Sequence, residues 1–164
     1  TTDQIRSQTT FKEEMSGLVT AKGPTMRADG KTWLVSGTRG LDGVWSYRLE
    51  LAADRTDLSR LTEATDGAGA TLHTVALGRS GTSCRAYAEN CRVDQMIAVK
   101  LDGNALSSAK ASGLNVTLKG PSETLSASAP AYYVEGFMNA VADYDKSNPG
   151  MTIYLFLIQL LNYR

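Results

Sequence analysis

The sequence predicts a mainly β protein with short helices: an α+β chain forming an antiparallel β-sandwich-like or curved sheet with a C-terminal helix packed on it. Three observations carry this expectation. Several segments alternate apolar and polar residues with a period of two, which turns one face of each towards a core. Turn-forming clusters rich in glycine separate them. One long amphipathic stretch, AYYVEGFMNAVADYDK, repeats its apolar residues at helical spacing near the C-terminal end.

A chain of 164 residues suits one domain, long enough to bury roughly 70% of its unfolded surface. The first ten residues, polar and rich in threonine, read as a flexible lead-in, and residues 11–164 as a single β-rich domain. In KTWLVSG a strand is expected over Thr32 to Ser36. In VWSYRLELA, Trp45, Tyr47, Leu49 and Leu51 share one face, with Ser46, Arg48 and Glu50 on the solvent side. The intervening GTRGLDG makes these two strands a hairpin. A third strand fits TLHTVALG, with His73, Val75 and Leu77 on a common face. The cleanest alternation runs from Val93 to Leu101, and LNVTLKG closes the set with Leu114, Val116 and Leu118 together.

Helices are expected to be short. DLSRLTEATD offers Asp57 as N-cap and an apolar edge of Leu58 and Leu61. NALSSAKASG has Asn104 as cap and Gly113 as stop. The amphipathic stretch follows Pro130 and ends near Asn148-Pro149-Gly150, although Gly136 weakens it. The tail MTIYLFLIQLLNYR, residues 151–164, is apolar from Met151 to Leu161 apart from Thr152 and Gln159. A membrane span needs about 20 such residues, so a buried terminal strand or helix, with β-propensity favouring the strand, or a self-association segment is expected instead.

Charge narrows the partners. Seventeen basic residues balance seventeen acidic ones. Nucleic-acid modules carry a basic excess because phosphate neutralisation supplies most of their affinity, so no nucleic-acid partner is expected. The start TTDQIRSQTTFKEE lacks a basic region followed by an apolar core, which fits either a cytosolic protein or a chain whose leader has been removed, and the cysteines bear on which.

Cys84 and Cys91, the only cysteines, are separated by six residues. A thioredoxin-like site needs C-x-x-C, and a structural zinc needs four nitrogen or sulfur ligands, where this chain has two cysteines and one histidine. A disulfide closing RAYAEN is the expectation, contributing about 2.5 kcal/mol by loop-closure arithmetic and implying an oxidising compartment.

Catalytic signatures are weak. His73 is the only histidine, and a hydrolase would have to use it with Ser80 or a nearby carboxylate. GRSGTS misses the nucleophile elbow by one position. DYDKSNPG resembles half of a calcium loop, but Asn148 stands at the required glycine and Tyr154 at the required glutamate. No cofactor or metal is expected. Tyr87, Tyr132 and Tyr133 are the candidate contact surface, because tyrosine is favoured at interfaces.

The succession YRLELA, ATDGAGATLHTVALGR, C-x6-C with RVDQMIAVKL, LSSAKASGLNVTLKG and PAYYVEGFMNAV resembles a loosely defined family of proteobacterial envelope proteins and predicted lipoproteins. The similarity runs from about Trp33 to Val141. It implies a periplasmic or secreted location and supplies no activity. Together these readings lead to a non-catalytic envelope domain acting as a binding or assembly module, with a small hydrolase using His73, or an oligomer joined through residues 151–164, as alternatives.

Overall fold

The computed structural model describes residues 1–28, 30–53, 58–80 and 94–149 of the chain. It opens with helix α1 (Thr2–Gln8) and strands β1 (Thr10–Glu13), β2 (Val19–Lys22) and β3 (Met26–Ala28). The long strands β4 (Lys31–Arg39) and β5 (Trp45–Ala53) follow, then β6 (Glu63–Asp66), β7 (Thr71–Leu72), β8 (Thr74–Ser80) and β9 (Asp94–Leu101). Helix α2 (Gly103–Ser112), strands β10 (Leu114–Lys119) and β11 (Thr124–Ala129), and helix α3 (Ala131–Ser147) complete the order. All strand pairs among the described residues are antiparallel, so the fold is α+β with the C-terminal helix packed on the sheets. Among the described residues no helix is long and apolar enough to cross a membrane.

The larger sheet runs β1-β2-β4-β5-β9-β8, with β3 also paired to β4; the smaller runs β11-β10-β6-β7. Period-two alternation sorts the residues of the larger sheet. Trp33, Val35, Leu49, Leu51, Ile97 and Val99 all turn to one face and are buried. The smaller sheet contributes Leu114, Val116, Leu118, Leu125 and Ala127 to the same core. Helix α3 adds Tyr133, Val134 and Phe137, each 0% exposed. Burying side chains of this size contributes about 1.5–3 kcal/mol each, which is what draws the helix onto the sheet.

Three expectations are corrected. Residues 1–10 are no loose lead-in, because Thr2–Gln8 form α1, capped by the Thr1 hydroxyl accepting from Gln4 N at 3.3 Å. Seven residues hold a helix poorly alone; Ile5, 4% exposed, ties it to α3. Gly136 is the reason the two helices can meet. A Cβ there would stand 2.5 Å from Thr2 O and 2.7 Å from Ile5 Cβ. The residue that weakened the helix reading is the notch in which α1 sits.

The helix expected in DLSRLTEATD is instead a single 3-10 turn, Leu58–Arg60, followed by β6. Leu58 and Leu61 are buried, but the next helical positions are threonines, and Thr65 pairs with Thr117 across the smaller sheet. Asp57 lies outside the described residues. TLHTVALG is likewise not one strand. It breaks at His73, with β7 pairing to β6 in the smaller sheet and β8 to β9 in the larger. The His73 carbonyl accepts from Lys100 N at 2.8 Å, which anchors the crossing point.

The helix expected in NALSSAKASG forms as α2, with its cap moved. Asp102 rather than Asn104 caps α2, its carboxylate accepting from Asn104 N at 3.0 Å, and Gly113 ends it.

Candidate functional site

Tyr133 was a candidate contact residue, and the structure corrects this. Its phenol donates to Pro24 O at 2.8 Å and accepts from Val35 N at 3.2 Å. Between β2 and β3 the strand is interrupted at Gly23-Pro24-Thr25, and the hydroxyl fills that gap beside β4. Its ring meets Trp33 edge-on at 4.8 Å. Burial pushes its pKa up to about 12, against a partial lowering by the Val35 N–H. Tyr132, its neighbour, is 41% exposed and keeps its place as a surface residue.

Tyr87, Cys84 and Cys91 lie outside the described residues, as does the tail 151–164. His73 is exposed at the crossing point between the sheets. Ser80 ends β8, seven residues further, about 20 Å away by extended-chain rise. The backbone therefore holds that pair apart. Among the described residues no group of three or more His, Cys, Asp or Glu side chains is placed to hold a metal ion.

Two polar clusters were not legible in the sequence. The first occupies the face of the larger sheet opposite the core. Glu50, expected at the solvent surface, is only 4% exposed, and Ser36 is 0% exposed. Strand register sets Ser36 of β4 opposite Arg48 of β5 and diagonal to Glu50, all three on the same face. The Ser36 hydroxyl donates to Glu50 Oε1 at 2.7 Å. The Arg48 guanidinium donates to Ser36 Oγ at 3.1 Å and to Glu50 Oε1 at 3.0 Å. A buried carboxylate needs partners of this kind, and these supply them.

The second cluster lies on the α3 side, at the end of the sheet where β4 turns into β5. Arg39 and Trp45 are register partners and both point towards the last turns of α3. Arg39 Nη1 donates to Asp145 Oδ1 at 2.7 Å and to Asn148 O at 3.1 Å. The indole N–H of Trp45 donates to the second Asp145 oxygen at 2.9 Å. The guanidinium lies 5.8 Å from the Trp45 ring centre and 5.2 Å from that of Tyr144, within cation–π range of both. Phe11 of β1 stacks on Tyr144 at 4.4 Å, and the Tyr144 hydroxyl donates to Glu13. Partial burial first, and then the Glu13 carboxylate, push the Tyr144 pKa up to about 12; Arg39 opposes the rise. Burial and Asp145 do the same for Tyr47, which stacks beside Trp45.

No protein-family model, curated protein or solved structure matches this chain.

The site is therefore read from its own geometry. Beside the second cluster an open groove of about 510 Å³ runs between α1 and the end of α3, walled by Arg6, Phe11, Asp143 and Tyr144, with Ser7 and Ser147 at its lining. Arg6 Nε donates to Asp143 Oδ2 at 2.6 Å. That pair is half exposed, worth little to stability, and free to exchange for other partners. A second groove of about 420 Å³, between α2 and the β6–β7 turn, is lined mainly by small and aliphatic residues such as Ala105, Ser108 and Leu114. The first has rings, hydrogen-bonding groups and charges of both signs. It is the candidate functional site.

Proposed function

We propose that the chain is a non-catalytic binding or assembly domain of the bacterial envelope, and that it engages its partner through the α1–α3 groove and the Arg39–Trp45–Tyr144 cluster beside it. The observation that carries this reading is the fixed aromatic wall. Phe11, Tyr144 and Trp45 are held by stacking and by Asp145, next to an open groove whose ion pair is exposed. Aromatic and arginine side chains already locked in place lose little entropy on binding, the property that suits them to interfaces. The separation of His73 from Ser80 supports a role without nucleophilic catalysis.

The envelope location rests on the resemblance and on the proposed Cys84–Cys91 disulfide. A thiol assay on denatured, unreduced protein is expected to find no reactive thiol, and two reactive thiols would overturn the location.

Binding is tested by placing a photo-crosslinking residue at Ser147 in the groove and, separately, at exposed Ser128 on β11. A discrete adduct in cell envelopes from Ser147 alone is the expected result. Equal adducts at both positions, or none at Ser147, would overturn the proposed surface.

A further inference from the structure

Large apolar side chains face solvent at the same end of the molecule. Met15 is completely exposed, Leu41 is 61% exposed and Val44 is 64% exposed. Met15 lies in the turn between Glu13 and Val19, and the other two in the turn between Arg39 and Trp45. Val19 and Arg39 are register partners, so both turns leave the sheet at one level, on adjacent hairpins. With strands about 4.8 Å apart, the two tips lie on the order of 10–15 Å from each other.

The backbone at these tips is partly closed on itself. Glu14 N donates to Leu18 O and Gly17 N to Glu14 O, both at 2.8 Å. In the second turn Gly40 N donates to Val44 O and Gly43 N to Gly40 O, both at 3.0 Å, while Val44 N donates to Asp42 Oδ1 at 3.0 Å. The hydrogen-bonded part of each turn needs no water, and the remaining N–H groups of the tips can keep theirs at the depth of the hydrated headgroups. Behind the tips lies a band of Trp45, Tyr144 and Phe11, the first two apolar bodies with polar handles. Arg39 also holds the Asn148 carbonyl here, so α3 ends at this level. The chain that continues from it is apolar from Met151 to Leu161 apart from Thr152 and Gln159.

We infer that this end of the larger sheet docks on a lipid bilayer surface, with Met15, Leu41 and Val44 inserted among the headgroups and upper acyl chains. Isolated side chains on protruding tips make poor contact with a firm protein surface, whereas a bilayer closes round each one. Glu14 and Asp42 on the same tips disfavour an anionic surface, so the attraction is apolar and insensitive to salt. This deepens the envelope reading and rests on it, since it names the surface against which the domain works.

The test is flotation of the full chain with phosphatidylcholine vesicles, against the triple variant Met15→Ser, Leu41→Ser, Val44→Ser. The wild-type chain is expected to float with the vesicles at low and at high salt, and the variant to partition at least tenfold less, since three side chains inserted even in part exceed that difference. Circular dichroism and thermal melting of the variant are expected to match the wild type, because the three side chains touch solvent. Three results would overturn the inference: no flotation of the wild type, equal flotation of the variant, or a wild-type dimer in solution that the variant abolishes. The Ser147 crosslink reports separately. An adduct there with no flotation removes the lipid surface and leaves the binding domain standing.

Discussion

Gly136 of α3 and Ile5 of α1 are packed so tightly that a Cβ on the glycine would lie 2.7 Å from the Ile5 Cβ, with Thr2 O closer still. The contact joins the two ends of the described chain. Around it, Thr2 Oγ1 donates to Glu135 at 3.0 Å and Arg6 reaches Asp143. Gly136→Val is therefore expected to expel α1 and destabilise the fold by about 2–4 kcal/mol, the scale of overpacking combined with a lost contact. Urea denaturation of the variant measures it, and an unchanged midpoint would show that α1 is not seated there.

Tyr133 stitches an interrupted strand. Tyr133→Phe removes the donor to Pro24 O and leaves Val35 N without its partner, while the ring keeps its place against Trp33. The expected loss is about 1–3 kcal/mol. It should appear as a lower melting temperature with unaltered far-ultraviolet circular dichroism.

Alkaline pH offers a second reading of the same groups. Tyr47, Tyr133 and Tyr144 each have a pKa raised from 10.0 to about 12 in the folded protein. The unfolded chain gives up these protons at the ordinary value, the folded chain only at the raised one. Their contribution to stability is thus complete below pH 10 and is lost as pH rises towards 12. Phenolate absorbance should show late titration of these rings, coinciding with denaturation. Asp145→Asn should bring Tyr47 part of the way back, because the carboxylate is one cause of its shift.

Arg48 and Ser36 are the partners of a nearly buried carboxylate. Arg48→Ala is expected to cost about 1–3 kcal/mol, less than for a fully buried pair because the Arg48 side chain is 38% exposed. Arg48→Ala combined with Glu50→Gln should recover part of that loss, since the uncompensated charge is then gone. A double-mutant cycle by chemical denaturation decides it, and strict additivity would mean that the two groups do not interact.

Arg39 lies between two rings and a carboxylate. Arg39→Lys keeps the charge but loses the planar group, and is expected to destabilise by about 1 kcal/mol and to alter tryptophan fluorescence through Trp45. Unchanged emission would separate the indole from this cluster.

The long strands were legible because their patterning is local. In β5 and β10 alternate residues meet the core, and the register that follows leaves little freedom. Helix α3 announced itself by its apolar repeat and the proline before it. The short elements β1, β2, β3 and β11 escaped because four-residue runs such as TFKE and weakly apolar ones such as TLSASA owe their structure to neighbouring strands. The same holds for α1, whose one buried residue gives no periodic signal. The candidate site was harder still to see. Phe11, Arg39, Trp45 and Tyr144 come from well-separated parts of the chain, and only β4–β5 register and the path of α3 bring them together. Glu50 shows the limit from the other side, since period two assigns a face but cannot say that a polar face is covered.

The pairing of α1 with α3 also constrains the order in which the molecule can be completed. A chain delivered N-terminus first holds residues 2–8 without this partner until Gly136 and its helix have followed, after every strand described in both sheets. Such long-range closure is slow, because most of the chain must already be ordered before the contact rewards it. The first helix therefore locks only after α3 has formed, and the fold stays open at that seam until then.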